Sequence, residues 1–336
     1  MSIRSTCIIV AAAMVSTFGG VAAVQAQSAP VEAYAALPAI ESVSISPDGS
    51  TLAYIRRSAE GDAVIAQART GEALVTIDIS DRVARGVFWA SPDHVVISST
   101  VNTKLPYTTS AALYEQLDIV NVRTRRVARA LHSADRAILT ANFGPSTTGT
   151  YRGQPALYLR TITVENSAYT YDLYRVDLND GRGRRHQIGA EDTNGYVVRE
   201  DGEVVARTTY DQETGNWRLL AASGGGWREL MTRRDLLETP GVLGFGRSHD
   251  VLLVVEDRAD GRVLFEVSLA DGSETPVSGF TDAALIIRDG DGLMIGVGQE
   301  DLTRSYVMFD PELQANWEKL RRGLPDRLLF MGDASD

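Results

Sequence analysis

Cysteine is almost missing from this sequence. The 336-residue chain has one, Cys7, which excludes an intramolecular disulfide and a thiolate metal cage. Histidine is nearly as scarce, with His94, His132, His186 and His249 the only four. None has a second ligand at a metal-binding spacing such as H-x-x-x-H, so no metal or other cofactor is expected. The motif G-x-S-x-G, which presents a serine nucleophile on a strained turn, occurs nowhere. Basic residues are outnumbered, 33 Lys+Arg against 44 Asp+Glu, for a net charge of −11. A nucleic-acid surface and an anionic membrane surface both need the opposite balance, so neither partner is expected. Helical periodicity is rare. It predicts helix over Pro311–Arg322, with Leu313, Trp317 and Leu320 on one face, and over Arg234–Glu238. Both read as connections and not as a second domain.

The apolar run near the N-terminus is short and interrupted. Arg4 precedes it, Cys7 to Val24 form it, and Ser16, Thr17, Gly19 and Gly20 break it. A positive start, a short apolar core and the small-residue exit Val24-Gln25-Ala26 define a secretory signal peptide. An uncleaved anchor is the alternative, but the run is too broken for a stable membrane span. Cleavage is expected after Ala26, giving a leader at 1–26, a flexible mature N-terminus at 27–36 and a folded domain at 37–336. The expected location is periplasmic or secreted, and the protein is not expected to be integral to a membrane. Cys7 leaves with the leader, so the mature chain is held by its core alone.

What fills the rest is strand and turn. Ser42–Ser46 and Thr51–Ile55 alternate on either side of Pro47-Asp48-Gly49, a hairpin signature. The phrase returns at Val87–Ile97 around Pro92-Asp93, and at Tyr196–Val205 around Asp201-Gly202. It returns again at Val242–Val254, and at Leu285–Ile295 around Asp289-Gly290. A second strand pair follows each, for example Val64–Ala66 and Leu74–Ile77 around Thr70-Gly71. Others are Leu173–Asp177 before Asn179-Asp180-Gly181 and Leu264–Val267 before Ala270-Asp271-Gly272. Units begin near Val43, Val87, Ile138, Tyr196, Val242, Leu285 and Leu328. The two longest intervals are assigned to insertions at Gly144–Pro155 and Thr163–Thr170. A four-stranded unit recurring about every 40–50 residues is the mark of a propeller, whose blades bury their faces only by packing on neighbours. The predicted fold class is therefore all-β: a β-propeller of four-stranded blades, with six full units plus the first strand of a seventh. A sandwich is the competing all-β architecture, disfavoured because the period persists along the whole chain. Leu328–Met331 is read as that seventh opening strand and Gly332–Asp336 as its turn, so the domain is expected to be incomplete at its C-terminal end.

The segment Leu37-Pro38-Ala39-Ile40 through Ser46-Pro47-Asp48-Gly49 to Tyr54 resembles the start of the propeller in secreted bacterial prolyl-oligopeptidase-like serine peptidases (family S9). The S-P-D-G turn is shared by other propellers, including those of the TolB type. In the peptidases an α/β-hydrolase domain follows the propeller and carries the catalytic serine, aspartate and histidine. None of those residues has a counterpart here, so no catalytic residue is assigned. The resemblance implies a propeller that gates substrate access, lacking the hydrolase domain and inactive by itself. Its implied partners are that hydrolase domain or a peptide substrate. The alternative is a stand-alone periplasmic propeller that binds a protein or a small ligand.

Several local patterns invite chemistry and read better as turns. Ser248-His249-Asp250 is contiguous, whereas a triad converges from separated positions. Asp289-Gly290-Asp291-Gly292 opens like a calcium loop and Glu300 stands at its twelfth position, but the flanks are strands and not helices. Gly224-Gly225-Gly226 opens no helix and precedes no Lys-Ser/Thr pair. His94 and His249 fall in equivalent turns and are expected to be exposed. Most Tyr and Trp residues are expected between blades.

Overall fold

The computed structural model describes residues 39–259, 261–277, 285–299, 305–325 and 329, and the folded unit to which they belong spans 38–336. The leader, residues 27–36 and the Leu37-Pro38 pair lie outside the described residues. So does Leu328–Met331 apart from Leu329.

Six antiparallel sheets follow one another, each a meander in chain order. The first holds β1 (Ile40–Ile45), β2 (Thr51–Arg56), β3 (Ala63–Ala68) and β4 (Ala73–Asp78). The second holds β5 (Val83–Ser91), β6 (His94–Thr103), β7 (Ala112–Asn121) and β8 (Arg126–Arg129). In the third are β9 (Thr147–Tyr151), β10 (Gln154–Glu165), β11 (Ala168–Asp177) and β12 (Gly183–Gln187). The fourth comprises β13 (Thr193–Val198), β14 (Val204–Asp211), β15 (Asn216–Ser223) and β16 (Gly226–Arg234). The fifth comprises β17 (Gly241–Phe245), β18 (Val251–Arg258), β19 (Gly261–Ser268) and β20 (Glu274–Pro276). The sixth has β21 (Leu285–Arg288), β22 (Met294–Gln299) and β23 (Ser305–Met308), followed by helix α1 (Pro311–Gly323). The sheets are the blades of a six-bladed β-propeller.

Strand alternation shows why this architecture is required. On β6, Val95 and Ile97 pack on the first sheet with Ile55, Val64 and Ala66. Val96, between them, packs on the third sheet with Leu157 and Leu159. On β18, Leu252 and Val254 face Trp217 and Leu219 of the fourth sheet, while Leu253 faces Met294 and Val297 of the sixth. A strand buried on both faces must read as a continuous apolar run, and Val95-Val96-Ile97 and Leu252-Leu253-Val254 are such runs. Each large side chain so buried contributes about 1.5–3 kcal/mol.

Three strands of the sixth sheet lie among the described residues. The expected elements are corrected elsewhere. The third sheet opens at Thr147, not near Ile138, which makes only an isolated bridge with Thr163. Both presumed insertions are sheet: Thr147–Tyr151 is β9, and Thr163 to Thr170 is the end of a long hairpin turning at Asn166 (φ 51°) and Ser167 (φ 64°). Polar Thr and Gly disguised β9, whose side chains serve a half-exposed surface and not a core. Arg234–Glu238 forms no helix. The Asp235 carboxylate accepts N–H bonds from Leu237 (2.8 Å) and Glu238 (3.1 Å), closing a turn that competes with helix.

Helix α1 forms as predicted, with Pro311 in its first turn and Asp310 accepting the N–H groups of Glu312 and Leu313. Its apolar face is narrower than expected. Trp317 is buried against Tyr306 and Met308 of β23, whereas Leu313 and Leu320 are exposed. Leu329 packs on that same cluster and belongs to no strand.

Candidate functional site

The apolar seam between the third and fourth sheets is sparse, formed by Ala156, Tyr158, Leu173 and Val198. A cleft of about 210 Å³ opens beside it. Strand alternation places Thr147, Tyr158, Arg160 and Leu173 on the face of the third sheet that looks across at Asn194, Tyr196 and Thr208. Pro240 and Val242, leading into the fifth sheet, complete the wall.

Arg160 dominates the floor. Its Nε donates to the Phe143 carbonyl at 2.9 Å and Nη1 to the Thr193 carbonyl at 3.1 Å, with further bonds to the carbonyls of Asn194 and Phe143. The guanidinium also lies 5.1 Å from the centroid of the Tyr171 ring. Burial lowers its pKa, partly opposed by Tyr171 and Tyr196. It is a cation neutralised by backbone dipoles, with no carboxylate pairing it among the described residues. Arg288 repeats the device between the fifth and sixth sheets, donating to the carbonyls of Phe245 (2.8 Å), Leu243 (2.5 Å) and Gly292 (2.5 Å).

The two phenols of the cleft are also committed. Tyr158 Oη donates to the Thr150 carbonyl at 2.8 Å and Tyr196 Oη to the Tyr171 carbonyl at 2.9 Å. Burial raises both phenol pKa values, so neither becomes a base near neutral pH. The cleft therefore offers apolar wall, aromatic surface and fixed dipoles. It offers no group poised to give or take a proton.

His94 and His249 were expected to be exposed, and neither is. His94 is half-buried, with Nδ1 2.9 Å from Ser91 Oγ and Nε2 3.0 Å from Asn121 Nδ2. Burial lowers its pKa, with opposition from Asn179, Asp93 and Asp177. This looks like a Ser-His-Asn array, but Ser91 is buried and its hydroxyl also accepts the Asp93 N–H at 3.3 Å. It fastens a turn. His249 is half-buried because its ring stands edge-on to Phe245 at 5.0 Å. The Ser248-His249-Asp250 segment is a turn, as read from the sequence, with Ser248 Oγ accepting the Asp250 N–H at 3.3 Å. Ser133 Oγ lies 3.2 Å from His132 Nε2, but Nδ1 of that ring is held by the Arg129 carbonyl, His132 is exposed, and the two are neighbours in sequence. Asp289 accepts the Leu293 N–H at 2.8 Å, closing a tight turn, and Glu300 lies outside the described residues. Gly224 and Gly225 turn β15 into β16 with φ of 55° and 80°.

Sequence reasoning did not find Arg160, Tyr158 or Tyr196. The only available signal was the alternation that puts Tyr158 and Arg160 two residues apart on one strand face.

No family model and no curated protein sequence matches the chain. Solved structures that are similar include TolB from Acinetobacter baumannii, at 16% identity over 71% of this chain and 54% of that one, with a TM-score of 0.40. The acylaminoacyl peptidase of Pyrococcus horikoshii shares 11% identity over 84% of this chain and 47% of that one, with a TM-score of 0.49. An oligogalacturonate lyase in complex with manganese shares 12% over 80% and 73%, also at 0.49. The chain thus spans about half the length of the first two. The class that its own fold defines is a β-propeller with a cleft between its third and fourth sheets.

Proposed function

We propose that this chain is a recognition propeller, the substrate-gating portion of an exported serine peptidase of the prolyl-oligopeptidase type, and that it does not hydrolyse substrate by itself. The observation that carries the reading is the cleft between the third and fourth sheets. Its aromatic and apolar walls suit a peptide, while Arg160, Tyr158 and Tyr196 are all engaged with carbonyls and unavailable for proton transfer. The resemblance of Leu37–Tyr54 supplies the peptidase assignment, and the segment before Ala26 supplies export to the periplasm or beyond.

The test is calorimetric titration of the purified chain with an Xaa-Pro peptide and an N-acyl peptide, alongside hydrolysis assays of both. Binding without turnover is expected. Turnover by the purified chain overturns the inactive reading. Failure of both peptides to bind, alone or with a hydrolase-bearing chain encoded beside it, overturns the gating reading. A reading frame continuing past Asp336 to G-x-S-x-G supports the peptidase assignment directly. The second reading, a stand-alone propeller for a small ligand, is favoured by the charge cluster described next.

A further inference from the structure

The end of the third sheet carries four arginines in one cleft of about 310 Å³, on a chain whose net charge is −11. Arg175 on β11 and Arg184 on β12 stand directly opposite each other in the antiparallel register. Like charges so placed repel. Arg182 sits on the turn between those strands, and Arg152 on the hairpin turn between β9 and β10. Arg152 adopts φ 53° beside Gly153 at 74°, a left-handed position that usually takes Asn, Asp or Gly.

Some arginines elsewhere in the molecule hold carboxylates, whereas Arg160 and Arg288 rest on carbonyls. Arg57 holds Glu41 and Asp62, and Arg233 holds Glu256 and Glu274. Among the described residues no carboxylate forms an ion pair with Arg152, Arg175, Arg182 or Arg184. Two carboxylates line the same cleft, Asp177 accepting the Asn179 N–H at 2.8 Å and Asp180 the Arg182 N–H at 2.9 Å, so four arginines against two acids leave the lining with an excess of two positive charges. Arg175 is stacked on the Tyr151 ring, 3.4 Å from its centroid, which fixes its plane. A hydrogen bond from Arg175 and then the charge of Arg152 lower the Tyr151 phenol pKa.

We infer that this cleft binds a small multivalent oxyanion, one whose phosphate or carboxylate groups take the place of the missing counter-charges on Arg175 and Arg184. Guanidinium forks match either oxyanion bidentately. The volume sits at the lower end of small-ligand sites, about 300–1,000 Å³. This inference does not rest on the peptidase reading.

Pyrophosphate and citrate are the probes, titrated calorimetrically into the purified full chain. At least one should bind at about 50 mM NaCl and weaken several-fold at about 0.3 M, because screening acts on an open cleft. Tighter pyrophosphate identifies a phosphate ligand and tighter citrate a carboxylate one. Arg184→Glu and Arg182→Gln, both at exposed positions, should keep the melting transition. Arg184→Glu should weaken binding by about tenfold or more, the loss of one charge-assisted pair. Arg322→Glu, an equal charge change on the exposed helix α1, should leave it unchanged. If neither anion binds, or if binding survives Arg184→Glu and Arg182→Gln intact, the inference is overturned.

Discussion

The indole N–H of Trp89 donates to the carbonyl of Ser44 at 3.2 Å, tying the second sheet to the first. The bond is possible because β1 is irregular between Glu41 and Ser44, with Ser42 left-handed at φ 51°. Ser42 Oγ in turn accepts the Val87 N–H at 2.8 Å. The bulge aims polar groups sideways at the next blade. Trp89→Phe keeps the buried ring and removes the donor, and should cost about 1–2 kcal/mol in urea unfolding. Trp89→Ala should cost about 3–5 kcal/mol.

Arg160 stitches the third sheet to the approach of the fourth through three carbonyls. Arg160→Met strands those acceptors and should lower stability by about 3 kcal/mol, measured by denaturant titration. Arg160→Lys keeps the charge but not the planar fork, so it should recover less than half of the loss. Full recovery by lysine would show that charge alone matters.

Gly202 turns β13 into β14 at φ 89°, and a Cβ there would strike Tyr158 Oη and approach the Thr150 carbonyl to 2.7 Å. Gly202→Ala combines backbone strain with a clash against the adjacent blade and should cost about 2–4 kcal/mol. Gly153→Ala has comparable strain at φ 74° but open space around it, and should cost only about 1–2 kcal/mol. Equal losses from the two would remove the packing contribution.

Glu266 gives the stability a pH dependence. Burial pushes its carboxyl pKa up, but the Arg247 side-chain and backbone bonds more than reverse this, leaving it below its ordinary value of 4.5. A folded pKa below the unfolded one means stabilisation that is complete above the unfolded value and lost as pH falls through the folded one. Arg247 is 49% exposed, so solvent screens the pair. Arg247→Met should cost about 2 kcal/mol at pH 7. Its thermal stability should fall less between pH 6 and pH 3 than that of the parent protein. A parallel acid limb in both proteins would assign the pH dependence elsewhere.

Export is tested by mass. Protein recovered from the periplasm or medium should begin at Gln27, and an intact mass that retains Met1 to Ala26 overturns the leader assignment.

The sequence alone determined the strand-and-turn repeat, since turn residues and alternating apolar runs are local and survive in one dimension. Pro47-Asp48-Gly49, Asp201-Gly202 and Ala270-Asp271-Gly272 announce their hairpins wherever the chain later goes. Helix α1 announced itself through the spacing of Leu313, Trp317 and Leu320. The polar strand Thr147–Tyr151 stayed hidden, because half-exposed strands need no apolar alternation. Only the tertiary structure decided which blade faces meet. It alone brought Arg160 to the carbonyls of Phe143 and Thr193. Phe143 lies outside the strands and Thr193 on the neighbouring sheet, so both approaches to Arg160 are fixed by packing between elements distant in sequence, which no local pattern encodes.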